Sequence, residues 1–221
     1  MNKELDIITK IHNLTKRNYL QRMLNSKVLC MREAKKYEKN YWDGNRKFGY
    51  GGYKYIPGRL EPVAKRLIKK FRLNNNSKIL DIGCGKGYLL YEIKKILPNI
   101  YVSGFDRSKY ALKNAHKEIK ENLILHNAKK RYPFRNKYFD LAISLGCFHN
   151  LEIDNLKFAL SETQRISKKS YIMIESYRNE KELLNLQRWA LTCDSFFSKK
   201  EWEWIFREFK YNGFYEFIYF L

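Results

Sequence analysis

The sequence predicts an α/β fold built on a mostly parallel, doubly wound sheet with helices on both faces. Three observations carry this. From residue 61 onward, short apolar segments alternate with stretches of helical period. The first apolar segment runs through a glycine-rich turn straight into a helix, in KILDIGCGKGYLL (78–90). The second ends on an acid, Asp106, 19 residues after Gly87. A βαβαβ series of this kind places ligands at the carboxyl ends of the strands, beside strand one.

The elements follow in order. Residues 3–40 read as helical, with Leu5, Ile8 and Ile11, then Leu20, Met23 and Leu24, at helical spacing among many charges. The texture changes at YWDGNRKFGYGGYKYIPGR (41–59), whose five glycines and six aromatics suit neither a helix nor a simple strand. Glu61 to Leu73 returns to helix, with Pro62 in its first turn and Val63, Leu67, Ile68 and Phe71 on one face. Strands are expected at 78–82, 100–105, 123–125, 139–144, 171–175 and 213–221. Helices are expected at 88–97, from Ser108 to about Lys120, and at 154–167, 180–190 and 198–209. Residues 1–60 thus form a helical extension and lid, and residues 61–221 the main domain.

Composition narrows the function classes. The chain has 221 residues, 44% of them hydrophobic, enough for a packed core and too many for a disordered linker. No apolar run reaches the length of a membrane span, and MNKELDIITK has no secretory apolar region. The four cysteines are scattered without a CxxC pair, which points away from a zinc ribbon or disulfide framework and toward a reducing cytoplasm. The net charge of +21 suits an anionic partner, but abundant Lys, Asn, Ile, Tyr and Phe is also what AT-rich coding produces.

In the glycine loop, Gly83-Cys84-Gly85-Lys86-Gly87 allows a ligand to approach the backbone. Asp106 at the end of the second strand can accept hydrogen bonds from both hydroxyls of a ribose. A dinucleotide fits such a frame. An acid before the turn, Asp81, suits the ammonium of an amino-acid ligand better than a diphosphate. Here the chain resembles the class I S-adenosylmethionine-dependent methyltransferases: ILDIGCGKG looks like their first motif, GFDRS like the acidic end of their second strand, and YPFRNKYFDLAISLGCFHNL like their segment around strand four. The resemblance covers roughly residues 60–175. It implies a Rossmann-like, seven-stranded sheet with an antiparallel C-terminal strand. It also implies S-adenosylmethionine as cofactor, with no metal. Asp81, Gly83, Cys84 and Gly85 would line the methionine part, and Asp106, with Arg107, the ribose. Asn127 and Ala128 would lie near the adenine, Leu145 and Gly146 behind the sulfonium, and Tyr50 of the lid against the cofactor.

Methyl transfer is an in-line displacement that needs a base only when the nucleophile arrives protonated. His149, just after strand four, is the candidate catalytic base, or else a structural histidine; His12, His116 and His126 read as surface residues. The segment after strand four, Ser144-Leu145-Gly146-Cys147, lacks the Asn/Asp-Pro-Pro-aromatic pattern of base amino-methylation, and Cys193 lacks the preceding proline of the cytosine C5 enzymes. Tyr53 and Arg59 of the lid, and Glu175, Tyr177 and Arg178 after strand five, are candidate substrate contacts; a fixed aromatic wrap is the plainer alternative for 41–59. Trp189 and Cys193 read as core. The outer segments are similar to those of small bacterial methyltransferases associated with capsule and lipopolysaccharide biosynthesis. That likeness implies an anionic or nucleotide-linked sugar, or a phosphoramidate, as acceptor for O-methylation. An RNA methyltransferase is the competing reading, favoured by charge and by tyrosines available for stacking. Oligomeric state is left open.

Overall fold

The computed structural model describes residues 3–50 and 53–221. Its centre is a six-stranded sheet in the order β3-β2-β1-β4-β5-β6, with β1 at Lys78–Ile82, β2 at Tyr101–Asp106, β3 at Leu123–Leu125, β4 at Phe139–Leu145, β5 at Ser167–Glu175 and β6 at Phe214–Ile218. Every pairing is parallel. This corrects the expected sheet in two respects: six strands form among the described residues, and β6 runs parallel to β5. The reason is the connection. Between β5 and β6 the chain passes through two helices, Glu180–Trp189 and Lys199–Glu208. A crossover of that kind returns a strand in the same direction, where a hairpin would reverse it.

Alternation along the strands sorts the core into two layers. Leu80, Ile82 and Ala142 face a cluster with Leu156, Ala159, Trp202, Ile205 and Phe206. Ile79, Leu141 and Ile143 face the other way, onto Val63, Leu67, Phe71, Leu90 and Ile93. The first layer is covered by the helices at Ile153–Ile166 and Lys199–Glu208, the second by those at Glu61–Phe71 and Tyr88–Ile96. Burying both faces is what makes these strands read as continuous apolar runs.

The N-terminal segment departs from its periodicity. It forms four short helices, α1 at Thr9–Asn13, α2 at Tyr19–Leu24, α3 at Lys27–Ala34 and α4 at Lys39–Asp43. Ser26 and Tyr37 break the path with left-handed backbone, φ 48° and 54°. Leu20, Met23 and Leu24 are consequently exposed, at 61%, 49% and 68%, although Leu5, Ile8 and Ile11 do pack on the core. The helix capped by Ser108 is also shorter than expected, ending at Lys113. His12 is buried, contrary to its surface reading. Its Nε2 donates to the Tyr219 carbonyl at 2.9 Å, its Nδ1 accepts from Arg17, and burial, then Arg17, pulls its pKa down to about 4.

Glu216 of β6 anchors this segment. Its carboxylate accepts from the backbone N–H groups of Ile7, Ile8 and Thr9 and from the Thr9 hydroxyl, at 2.6–2.9 Å, and from Tyr171 on β5. A buried carboxylate at the start of α1 satisfies donors the helix cannot pair itself. No helix among the described residues is long and apolar enough to cross a membrane.

Candidate active site

The site is built first by the turn after β1. Gly83, Gly85 and Gly87 all take positive φ, 77°, 55° and 73°. At Gly83 and Gly85 space demands glycine as well as conformation: an added Cβ would lie 2.8 Å from Cys147 and 2.8 Å from the Trp42 ring. The N–H groups of Gly83 and Cys84 both donate to the Phe105 carbonyl, tying the turn to the end of β2. Asp106 reinforces it, accepting from Gly85 N–H at 2.9 Å and Ser108 N–H at 2.8 Å. Each carboxylate oxygen keeps lone-pair capacity for a ligand.

Asp81 is buried in the same cavity, with no hydrogen bond or ion pair among the described residues. Burial, with Asp106 nearby, pushes its pKa up to about 7. Burial also raises Asp106, against its backbone donors. Arg107 offsets part of the charge on Asp106, whereas Asp81 has no cation beside it, so the pair suits a ligand that brings positive charge to Asp81 and hydroxyl donors to Asp106.

The second wall comes from the N-terminal segment. Trp42 lies over Gly85 and donates from Nε1 to Ser108 Oγ at 2.8 Å. Asp43 pairs with the buried Lys86 of the glycine loop at 2.7 Å. Tyr37, Tyr41, Trp42, Tyr50 and Tyr53 pack ring to ring at centroid distances of 4.7–6.0 Å. The lid stretch is thus bonded to the core at several points; of the glycines expected to permit close contact or hinge motion, Gly49 packs against the Tyr41 carbonyl with no room for a Cβ, and Gly51 and Gly52 lie outside the described residues.

Together these walls line a cleft of about 1020 Å³ at the carboxyl edge of the sheet. That is the upper end of the roughly 300–1,000 Å³ usual for one ligand, so a cofactor and an acceptor fit together. Asp81, Gly83, Cys84, Gly85, Asp106, Arg107, Asn127, Ala128, Leu145, Gly146, Tyr50, Tyr53, Arg59, His149 and Glu175 all line it, as does His126. Arg107 stacks its guanidinium 5.1 Å from the Tyr37 ring. The Tyr50 hydroxyl is held by the N–H groups of Leu191 and Thr192. Tyr177 and Arg178 do not line the cavity. Tyr177 reaches Glu201, and Arg178 is tied to Glu182 one helical turn on, because the chain leaves the sheet edge at Ser176.

His149 and Glu175 meet at the far end. His149 Nδ1 accepts the Glu175 N–H at 3.2 Å, so the ring's proton sits on Nε2. Burial pulls the His149 pKa down to about 3. The base role expected of His149 does not suit a ring held in that tautomer. Glu175 has the opposite character: Oε2 is buried without a hydrogen bond, 3.5 Å from His149 Nε2, and burial, partly offset by Arg17, pushes its pKa up to about 7.

Arg17 and Phe220 carry no signal in the sequence, Trp42 and Arg46 stand out there only as part of the lid segment 41–59, and His12 and Trp189 read as surface and core; all six line the cavity. Trp189 and Cys193 are buried as expected, but Trp189 also faces the cavity.

A methyltransferase domain model matches residues 73–210, more than half of the chain. The protein belongs to the methyltransferase domain family. A ribosomal RNA small subunit methyltransferase C of Buchnera aphidicola (subsp. Acyrthosiphon pisum) is 33% identical over 106 residues, 44% of this chain and 31% of that protein. The chain therefore spans about a third of the length of this curated relative. Among solved structures, a SAM-dependent methyltransferase from Aquifex aeolicus aligns over 70% of this chain and 82% of its own, at 20% identity and TM-score 0.51. The YcgJ protein of Bacillus subtilis aligns over 66% of each chain, at 21% identity and TM-score 0.53. These two share the fold.

The chain thus carries a methyltransferase domain, and S-adenosylmethionine is the methyl donor that its family resemblance implies. The residues present fit that cofactor. The unpartnered Asp81 can take an ammonium, Asp106 can take ribose hydroxyls, and the tight glycine turn lets the ligand lie on backbone. A dinucleotide pyrophosphate would face two buried carboxyls instead.

Proposed function

We propose that this methyltransferase O-methylates a small sugar- or phosphoryl-containing metabolite. The observation that carries this is the deep cavity, which the protein's own N-terminal segment lines at one end through Arg17, Arg46 and Tyr50. A cleft narrowed by that segment admits a metabolite more readily than a folded RNA. The likeness of the outer segments to capsule and lipopolysaccharide methyltransferases adds a surface-polysaccharide building block, such as a phosphoramidate, to this class.

When bound, the cofactor supplies an electrophilic methyl on a sulfonium. Asp81, Gly83, Cys84, Gly85, Asp106 and Arg107 would hold it, with Asn127 and Ala128 toward the adenine and the backbone of Leu145 and Gly146 toward the sulfonium; all line the cavity. Tyr50 and Tyr53 close the chamber, and Arg59 stands at its mouth. Glu175 is the base: its carboxylate receives the acceptor's hydroxyl proton, while His149, protonated on Nε2 and anchored through Nδ1, faces Glu175 Oε2 and positions that carboxylate. Tyr177 and Arg178 have no part in the chamber.

RNA methylation is the second reading. The charge of +21 and the partial match to a ribosomal RNA methyltransferase favour it. Two measurements decide. In calorimetry, S-adenosylhomocysteine should bind and NADH should not, and Asp106→Ala should cost about 2–4 kcal/mol of that binding. Wild-type binding of NADH alone would overturn the cofactor. Label from methyl-tritiated S-adenosylmethionine, supplied with a cell extract, should enter the small-metabolite fraction. Label confined to RNA would overturn the acceptor class.

A further inference from the structure

We infer that Arg17 and Arg46, gathered with Arg22 around Trp189, form a subsite for a phosphoryl group on the methyl acceptor. The inference rests on the small-acceptor reading above and says where in the chamber the acceptor is gripped. The three guanidinium carbons lie 5.5 Å (Arg17), 5.5 Å (Arg46) and 4.5 Å (Arg22) from the Trp189 ring centroid, and Arg17 lies 5.1 Å from the Phe220 ring as well. Arg17, Arg46, Trp189 and Phe220 line the cavity.

Three like charges gathered around one indole repel one another; Arg22 is buried, Arg17 half-buried and Arg46 exposed to solvent. Their hydrogen-bond partners do not neutralise them. Arg22 is buried and gives its N–H groups to the carbonyls of Trp189, Arg46, Lys47 and Gly49, so it braces the segment that carries Arg46. Arg17 donates to the carbonyls of Thr15 and His12 and to His12 Nδ1, and its Nε is buried with no partner. Arg46 makes no ion pair among the described residues. The groups that face this cluster are Glu175, His12, Tyr19 and Tyr50. Glu175, the one carboxyl of the four, is held partly protonated by burial.

The cavity end is therefore a concentration of positive charge, three guanidinium groups against the single carboxyl of Glu175. Arginine forks fit phosphoryl oxygens in two-point geometry, and stacking on an aromatic ring fixes the fork before the ligand arrives. Arg17 and Arg46, the two that face the chamber, match the charge of about −1.5 to −2 carried by a phosphomonoester at neutral pH. The phosphoryl group can belong to a sugar phosphate or to an RNA strand, and the test separates the two.

The probe is inorganic phosphate, titrated by calorimetry and tryptophan fluorescence into protein saturated with S-adenosylhomocysteine. Phosphate should bind the wild type. The double variant Arg17→Met, Arg46→Met should bind it at least about tenfold more weakly, with unchanged affinity for S-adenosylhomocysteine. Arg17→Lys with Arg46→Lys should keep part of the phosphate affinity, and it serves as the test if the Met variant does not fold. Equal phosphate affinity in wild type and variants, or no binding by wild type, overturns the subsite while retained S-adenosylhomocysteine binding leaves the methyltransferase reading intact. Glucose 1-phosphate should compete with phosphate more strongly than a uridine oligonucleotide; the reverse order overturns the small-acceptor source.

Discussion

Glu175 stands at the carboxyl end of β5, its Oε2 buried and unpaired and His149 Nε2 facing it. A carboxyl held in this way can take a proton near neutral pH, whereas a histidine whose available nitrogen is already protonated cannot. Glu175→Gln should therefore lower kcat by about 10²–10⁴-fold, leaving S-adenosylhomocysteine affinity nearly unchanged. The sign of the pH effect follows: the carboxylate is the active form, so the wild-type rate should fall as pH drops through about 7. His149 only positions that carboxylate, so His149→Gln should lower kcat by less. A larger kcat loss in His149→Gln than in Glu175→Gln would return the base role to the histidine. At this scale the sequence was informative about place and not about role. The strand-four and strand-five ends bring residues 149 and 175 to the site by topology alone. Which of them holds a proton depends on one backbone N–H, from Glu175 to His149 Nδ1, that no spacing in the sequence encodes.

At the scale of elements, the glycine loop and Asp106 were legible because β1, the turn and the start of the following helix are contiguous, and β2 is the next strand. The N-terminal segment was not. Its apolar spacing resembles helix, yet left-handed Ser26 and Tyr37 break it into short pieces. The position of those pieces is set largely by Glu216, more than two hundred residues away. A single acid in an aromatic strand gives no local sign that it will cap a helix at the other end of the chain. Glu216→Ala should leave the donors of Ile7, Ile8 and Thr9 unsatisfied, at a cost of about 3 kcal/mol or more in stability. Hydrogen exchange should then speed up through residues 5–13 while the strands β1, β2 and β4 stay protected. Uniform exchange across the chain would mean that the clamp belongs to the global fold.

For the molecule as a whole, burial of ionisable groups couples stability to pH. Asp81 titrates at about 7 when folded, well above the unfolded value of about 3.9. The folded state thus holds the proton more tightly, so this group's stabilisation is present below about pH 4 and is lost as pH rises through 7. Asp81→Asn removes the effect. The variant's thermal midpoint should gain on the wild type from pH 4 to 8, by about 2–4 °C for each kcal/mol involved. Saturating S-adenosylmethionine should flatten the wild-type dependence, because an ammonium beside Asp81 restores its ionised form. A difference that does not change with pH would place the Asp81 proton elsewhere. The global charge was the least informative quantity in the sequence. What matters is the small excess that Arg17, Arg22 and Arg46 bring together, and those residues come from separate segments that meet only in the finished fold.

The clamp between Glu216 and the first helix also sets an order of events during synthesis. Residues 7–9 emerge from the ribosome before any strand of the sheet, yet their partner is made more than two hundred residues later. By then the strands that carry the glycine loop, Asp106 and Glu175 have all been translated. The cofactor half of the chamber can thus assemble on a growing chain, while the arginine-bearing wall must wait for β6. Contacts of such long separation form late and slowly, so the half of the cavity built by the glycine loop and Asp106 precedes the half that needs β6.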